Sequence, residues 1–417
     1  MRAGMKPAPT VPFGRMSRNR ANGILYPRLN SVMKRLLDKY ARKLVAAGLA
    51  DEGAPLLGGL DVELLWNRPD PVCAELEKLF QGLAINSLLF AQPAEPYRSL
   101  IDYIALHAAG PIRPSDSETR TFMHEIPVIH AFEADGIITA LKRRRSVVIP
   151  GHGIVAWGTV SPEQAFVSFS SICFACFVKF FADYLTHVRA GRVSEEEQGV
   201  LRDAVARLAP LPQEPPSLMA GPFASEAQVC RAVGEAGRLT VEYGLVDSFF
   251  GNISYRFGNI LYISQTGSSL DELEGCIDPC PLDGSSCTAI TASSEFVAHR
   301  ELVLCTGMNA VLHGHPKFAV VLSMDCDRRH CGAREACHTR CPEKRLVGDV
   351  PIVSGEVGTG PYGLCHTVPA AMAGRPGVIV YGHGVFTMGR HDFNEALANL
   401  LAVERMCREE YLRRAGG

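Results

Sequence analysis

The sequence predicts an α/β protein made of two tandem copies of one layered domain. Three observations carry this. A residue pattern in the first half recurs in the second, strand-like runs alternate with helical ones, and a proline-rich stretch parts the halves. Ile149-Pro150-Gly151-His152-Gly153, leading to Ser161-Pro-Glu-Gln-Ala-Phe166, returns 231 positions later as Val380-Tyr381-Gly382-His383-Gly384, leading to Asp392-Phe-Asn-Glu-Ala-Leu397. Upstream, the run Asn86 to Pro93 returns 223 positions later as Asn309 to Pro316. Ile126-Pro-Val-Ile129 has its counterpart in Val350-Pro-Ile-Val353. Matches in the same order at similar offsets point to duplication, with chance similarity as the alternative.

Each copy reads strand, turn, helix. Val378–Tyr381 is a β-branched run, Gly382–Gly384 turns the chain, and Val385–Met388 resumes as a second strand. From Phe393 to Tyr411 the apolar residues Phe393, Leu397, Leu400, Leu401, Val403 and Met406 fall at helical spacing. Pro210, Pro212, Pro215, Pro216 and Pro222 mark a linker. The expected organisation is a flexible basic tail over 1–22, a domain over 23–208, the linker over 209–222 and a second domain over 223–417.

The 417 residues accommodate two or three domains at roughly 100–200 residues each. A net charge of −2 gives no ground for nucleic acid or a membrane surface as partner. The tail carries Arg2, Lys6, Arg15, Arg18 and Arg20 without an acid and lacks the apolar stretch of a signal peptide. Ala165–Val178 is the best candidate for a membrane span, but it is shorter than the ~20 residues a bilayer needs and reads as a buried helix. With no export signal, the 14 cysteines are expected as reduced thiols or metal ligands in the cytoplasm.

The chemistry concentrates in the second half. His313 and His315 stand two apart at the end of the apolar run Ala310-Val-Leu, so in a strand both face one side. His383 ends another strand between two glycines. Three neutral imidazoles with an open position suit a catalytic zinc-like site, and other divalent metals also accept imidazole. Taken alone, the His-x-His pair is more readily explained by ordinary hydrogen bonding.

Around it stand Gly251-Asn252-Ile253-Ser254, Thr266-Gly267, Ser293-Ser294-Glu295, His313-x-His315 and His383-Gly384, in that order. This series over about 195 residues resembles the class II aldolase/adducin family. The resemblance implies a tandem pair of class II aldolase-like three-layer α/β/α domains. It implies His313, His315 and His383 as ligands of a divalent metal, usually zinc, and Glu295 as the group that moves a proton. Asn252, Thr266, Gly267, Ser293 and Ser294 would hold a substrate phosphate. Retro-aldol cleavage of a ketose leaves an enediolate, whose charge a Lewis-acidic cation stabilises. Small hydroxyls and backbone N–H groups suit a phosphate, although Ser293 and Ser294 would serve equally as helix caps.

The sequence departs from the family in two places. The family's tyrosine between the His-x-His pair and the later strands is missing, since no tyrosine occurs between Tyr262 and Tyr362. That stretch holds Cys326, Cys331, Cys337 and Cys341, interleaved with His330 and His338. Four sulfurs so spaced would hold a second zinc or an iron–sulfur cluster, or stand as free thiols in a loop. Cys276, Cys280, Cys287 and Cys365 are further candidates that need no function. The first half is the other departure. Phe90 and Gln92 replace the His-x-His pair, and only His152 remains of the three ligands. It is therefore expected as a scaffold copy without a site, with His124 and His130 structural.

The leading expectation is a metal-dependent lyase acting on a small, phosphorylated sugar. Epimerisation, dehydration and decarboxylation are alternatives on the same scaffold. A non-catalytic adducin-like module is the contrasting reading. The three ligands and Glu295 favour the enzyme. Family aldolases form rings of four subunits, so two such tandem chains would close a four-domain ring as a homodimer.

Overall fold

The computed structural model describes residues 26–416 apart from 248–249, 286–289, 329–330 and 334–335, with side chains from residue 32 onward. The basic segment 1–22, Cys287 and His330 lie outside the described residues. The first half forms a five-stranded antiparallel sheet of β1 (Leu56–Leu60), β2 (Leu64–Trp66), β3 (Ser87–Ala91), β4 (Ser146–Ile149) and β5 (Gly153–Gly158), in the order β2-β1-β3-β5-β4. The second half forms an eight-stranded sheet. Its strands are β6 (Asn252–Phe257), β7 (Ile260–Ser264), β8 (Ile277–Pro281), β9 (Ala310–Gly314), β10 (Arg345–Val347), β11 (Val350–Val353), β12 (Val378–Val380) and β13 (Val385–Gly389). Their order is β10-β11-β12-β13-β9-β6-β7-β8, and only the β11–β12 pair is parallel.

Helices α1 (Tyr26–Ala46), α2 (Cys73–Gly82), α3 (Tyr97–His107), α4 (Ser117–Met123), α5 (Ala134–Leu141), α6 (Pro162–Ala190) and α7 (Glu195–Ala206) belong to the first half. The second half carries α8 (Glu226–Glu242), α9 (Phe296–Thr306), α10 (Lys317–Met324), α11 (Leu364–Met372) and α12 (Phe393–Ala415). The last of these contains the run that the apolar spacing marks as helical.

The two sheets agree strand for strand and in register. The order β2-β1-β3-β5-β4 corresponds to β7-β6-β9-β13-β12. Phe90 faces Val155 where His313 faces Phe386, and Val147 faces Val155 where Val378 faces Phe386. These pairs keep the sequence offsets of 223 and 231. Even the parallel contact of Ile352 with Ile379 has a counterpart, a lone bridge from Val128 to Val148. Because a one-residue slip would turn every side chain to the opposite face, shared register is a demanding form of agreement.

The halves share one interior. A single cluster of buried apolar residues runs from Leu37 on α1 to Tyr411 on α12. Its middle is α6, which starts with Pro162 in the first turn and ends at the left-handed Gly191 (φ 64°). The Ala165–Val178 segment is thus part of a 29-residue helix, long and apolar enough by length and composition to cross a membrane. A helix apolar on every side must be covered on every side. Here β3, β5, α1 and α3 of its own half and α10 and α12 of the other half pack against it. Phe181 lies 5.2 Å from both Phe318 and Tyr411, ring to ring, and the Tyr411 hydroxyl donates to the Phe181 carbonyl at 3.1 Å.

The proline-rich segment is fastened rather than free. Arg408 donates to the Ala209 carbonyl (2.7 Å) and Arg405 to that of Pro212 (2.5 Å), while Asn394 Oδ1 accepts from the Leu218 N–H (2.8 Å). Ion pairs also cross the halves: Lys43 with Asp271 (2.8 Å), and Arg189 with Asp325. The Phe181→Ala substitution is expected to cost about 3–5 kcal/mol, the range for deleting a core aromatic. Trp66 and Trp157 both lie in the first half, so their fluorescence reports that half alone. In urea, fluorescence and far-ultraviolet circular dichroism should move together, because one core leaves neither half able to unfold separately.

Candidate metal centre

Three neighbouring segments of the second sheet supply the site. In β9 the buried residues Ala310, Val311 and Leu312 fix the strand, which delivers His313 near its end and His315 just beyond it. Asn252 of β6 and Phe386 of β13 flank His313 in register. The turn between β12 and β13 carries His383. This turn requires glycine on both sides. Gly382 sits at φ 58°, and a Cβ on Gly384 would stand 2.8 Å from ring carbons of both His313 and His315. Glu295 caps the start of α9 and is buried.

The side chains converge. The three histidines each place a nitrogen within 4.8 Å of the others, and they are the one such donor group among the described residues. His315 Nε2 lies 3.0 Å from His313 Nε2. Glu295 Oε2 lies 3.3 Å from His313 Nε2, and Oε1 lies 3.0 Å from His383 Nε2. His313 stacks on Phe386 and His315 on Phe250, with centroids 4.0 and 5.5 Å apart. The outer nitrogen of His313 faces the Val385 carbonyl (3.1 Å). That of His383 faces Glu118 Oε1 on α4 of the first half (3.2 Å).

The electrostatics follow from burial and proximity. Burial works to raise the Glu295 carboxyl, but His313, His383 and the Asn252 amide together hold it well below the ordinary carboxylate range. Burial pushes His313 down to about 4 and His315 well below its ordinary value. For His383 the burial effect is outweighed by Glu118 and Glu295, which lift it to about 9.

These donors fit a divalent metal on internal grounds. With its Nδ1–H directed at Val385, His313 turns a bare Nε2 lone pair toward His315. His315 Nδ1 is buried without a hydrogen-bond partner, and Glu295 Oε1 faces the His383 ring nitrogen at 3.0 Å. An ionised carboxylate and three imidazole nitrogens facing one point, away from water, suit a cation.

The expected phosphate-holding residues meet this picture unevenly. The Asn252 amide donates to Glu295 Oε2 at 2.7 Å, placing it at the centre itself. Thr266 and Gly267 are exposed, and the Thr266 hydroxyl is committed to the Ala292 carbonyl (3.0 Å). Ser293 is buried and its hydroxyl accepts from the Glu295 N–H (3.3 Å), as a cap would; Ser294 is exposed. Among the described residues, the cysteine loop brings no three-donor set together. Cys326, Cys331, Cys337 and Cys341 are free and half-buried, and no three of their sulfurs meet the spacing the histidines meet. Burial raises the Cys337 thiol, and the three other sulfurs add to it. In the first half, Gln92 bonds Gly151 and Arg98 while the exposed His152 stacks on Phe132 (5.8 Å), so no donor set forms. His124 and His130 are exposed rather than packed as structural residues.

Sequence reasoning missed what the first half contributes. Ser117 and Glu118 reach the His383 turn, and a cavity of about 970 Å³ there is lined by Glu118, Arg120, His124, Arg144, His338 and His383. The run Asp116-Ser-Glu-Thr119 carries a helix-start signal, with Asp116 accepting from the Thr119 N–H at 2.8 Å. That signal marks a helix end and does not name its neighbour.

Fold and site thus define a layered α/β protein that gathers three imidazoles and a carboxylate at the ends of its strands. Residues 231–411 match the family model for the Class II Aldolase and Adducin N-terminal domain. Solved structures similar to the chain include the L-fuculose-1-phosphate aldolase of Thermus thermophilus, with 25% identity over 46% of this chain and 96% of that one, at TM-score 0.37. An L-fuculose 1-phosphate aldolase follows at 22% identity, covering 47% and 90% at TM-score 0.38. A sugar-phosphate aldolase from Thermotoga maritima has 20% identity, covering 45% and 94% at TM-score 0.34. No curated protein matches the chain significantly.

Substituting His313, His315 or His383 by alanine should abolish bound divalent metal, measured by elemental analysis of protein loaded with zinc and desalted. His152→Ala should retain it. Full loading of a His313→Ala, His315→Ala double variant would refute the assignment.

Proposed function

We propose that this protein is a divalent-metal-dependent carbon–carbon lyase of the aldolase type, acting on a small phosphorylated sugar. The observation that carries this reading is the buried, ionised Glu295 with its two oxygens 3.0–3.3 Å from imidazole nitrogens of His383 and His313. His313, His315 and His383 would hold the metal, with zinc favoured by the imidazole-rich set. When bound, that ion would polarise the ketose carbonyl and hydroxyl and stabilise the enediolate as a Lewis acid.

The chain's own residues do the rest. Cleavage removes the proton from the C4 hydroxyl, breaks the C3–C4 bond to release an aldehyde, and leaves an enediolate that regains a proton at C3. Glu295, buried beside the centre, is the group placed to move a proton there. Asn252 orients it through the 2.7 Å bond to Oε2. The small side chains of Thr266, Ser293 and Ser294 with Gly267 form the phosphate end of this reading. Phe250 and Phe386, packed on two of the imidazoles, keep water from the donors.

Glu295→Gln keeps the shape and removes the base. With zinc-loaded protein and a panel of ketose 1-phosphates, turnover followed by aldehyde release should fall roughly 10²–10⁴-fold. Undiminished release by this variant removes Glu295 from the role. Products of epimerisation or decarboxylation from the wild-type protein would reassign the reaction while leaving the site intact.

The matched registers also support reading the chain as a tandem pair of such domains, one with ligands and one without. Two chains would close a four-domain ring holding two metal sites. Light scattering should give a mass of two chains; a mass of one chain would contradict this assembly.

A further inference from the structure

We infer that Glu118, supplied by the half that carries no ligand set, is the positioning residue for His383. It fixes which imidazole nitrogen faces the centre. The inference rests on the metal-site reading above and concerns how that site is held.

The geometry is specific. Glu118 Oε1 stands 3.2 Å from His383 Nδ1, while His383 Nε2 points the opposite way, 3.0 Å from Glu295 Oε1. A neutral imidazole has one N–H and one lone pair. A carboxylate facing Nδ1 keeps the hydrogen there and leaves the Nε2 lone pair for a cation. Without a cation, a proton on Nε2 fills the same space between His383 and Glu295. The Nδ1–H bond to Glu118 is made in both states. Carboxylates that orient ligating histidines in this way tune both ring direction and ligand basicity.

Independent contacts hold the two groups against each other. The Ser117 N–H and hydroxyl both donate to the Gly382 carbonyl, at 2.7 and 2.8 Å. The Gly382 N–H donates to Ser323 Oγ at 2.7 Å. The turn bearing His383 is thus gripped from the first half by Ser117 and from its own half by Ser323. On α4, Asp116 is buried and caps the helix that presents Ser117 and Glu118.

Of the three imidazoles, His383 alone takes its outer partner from the other half. His313 uses the Val385 carbonyl of its own sheet, and His315 Nδ1 has no hydrogen-bond partner. Glu118 is also the carboxylate in this wall that is free for the task. Glu125 is paired with Arg143 and Arg144 (3.1 and 3.3 Å), and Glu356 accepts from Thr339 (3.0 Å).

The test is zinc affinity, measured by chelator competition on the full chain at fixed pH. Glu118→Gln preserves shape and should weaken binding about 10–100-fold, the range for losing an outer partner of a ligand. Its metal-free circular-dichroism spectrum should match that of the wild type, since Glu118 is a partly exposed side chain. Glu118→Asp, which keeps the charge, should recover part of the loss. Glu125→Gln, in the same cavity, should bind as wild type. Wild-type affinity in Glu118→Gln, alongside loss of metal in His383→Ala, overturns the positioning role and leaves the metal site standing. A loss in Glu125→Gln equal to that in Glu118→Gln overturns it too, by showing a general effect of cavity charge. Retention of metal by His383→Ala would instead defeat the metal-site reading itself.

Discussion

A carboxylate kept ionised inside a protein must have positive or proton-donating partners close by, and the second half of this chain is arranged around that requirement at Glu295. Satisfying it brings three separate segments together. The end of β9 brings His313 and His315, the β12–β13 turn brings His383, and the first residue of β6 brings the Asn252 amide. None of these groups is near the others in sequence. Only the strand order, with β9 between β6 and β13, makes them neighbours. The apolar residues of those strands therefore serve the site as well as the core: a slipped register would separate Asn252 from His313.

The first half meets the same geometry with different side chains. Where His313 faces Phe386, Phe90 faces Val155, and its ring packs on Phe132. Its sheet is a framework that positions α4 and α6. The latter joins the halves through Phe177, Phe181, Phe318 and Tyr411, and the former reaches the His383 turn. The centre is thus built on one half and walled by both.

Much of this was legible in the residues. The recurrences at His152/His383 and Pro93/Pro316 flank strands whose pairing registers agree between the two sheets at the same offsets. The His-x-His spacing foretold a shared face, because period-two geometry leaves little freedom. Glu295 was legible through its motif. The role of Glu118 was not, since an acid on a short helix carries no mark of the distant turn it will touch. The full extent of α6 was also hidden: Lys179 looked like an end to the apolar run, whereas its ammonium pairs with Asp183 at 2.8 Å and the helix continues. The cysteine spacing suggested ligands or free thiols, and the loop between Cys326 and Cys341 carries, among its described residues, no regular element whose geometry would choose between them.

The grip of Ser117 on the Gly382 carbonyl has a consequence for how such a protein can change over generations. In an assembly of identical subunits, any substitution in the wall of a site is also made in the copy that carries the ligands. Here wall and ligands occupy separate stretches of one gene. Apart from Ser117 and Glu118, residues 117–125 can vary in charge and shape without altering the strands that hold His313, His315 and His383. The selectivity of the cavity and the chemistry of the centre can therefore diverge on independent schedules, with the hydrogen bonds at Gly382 as the point where the two must still agree.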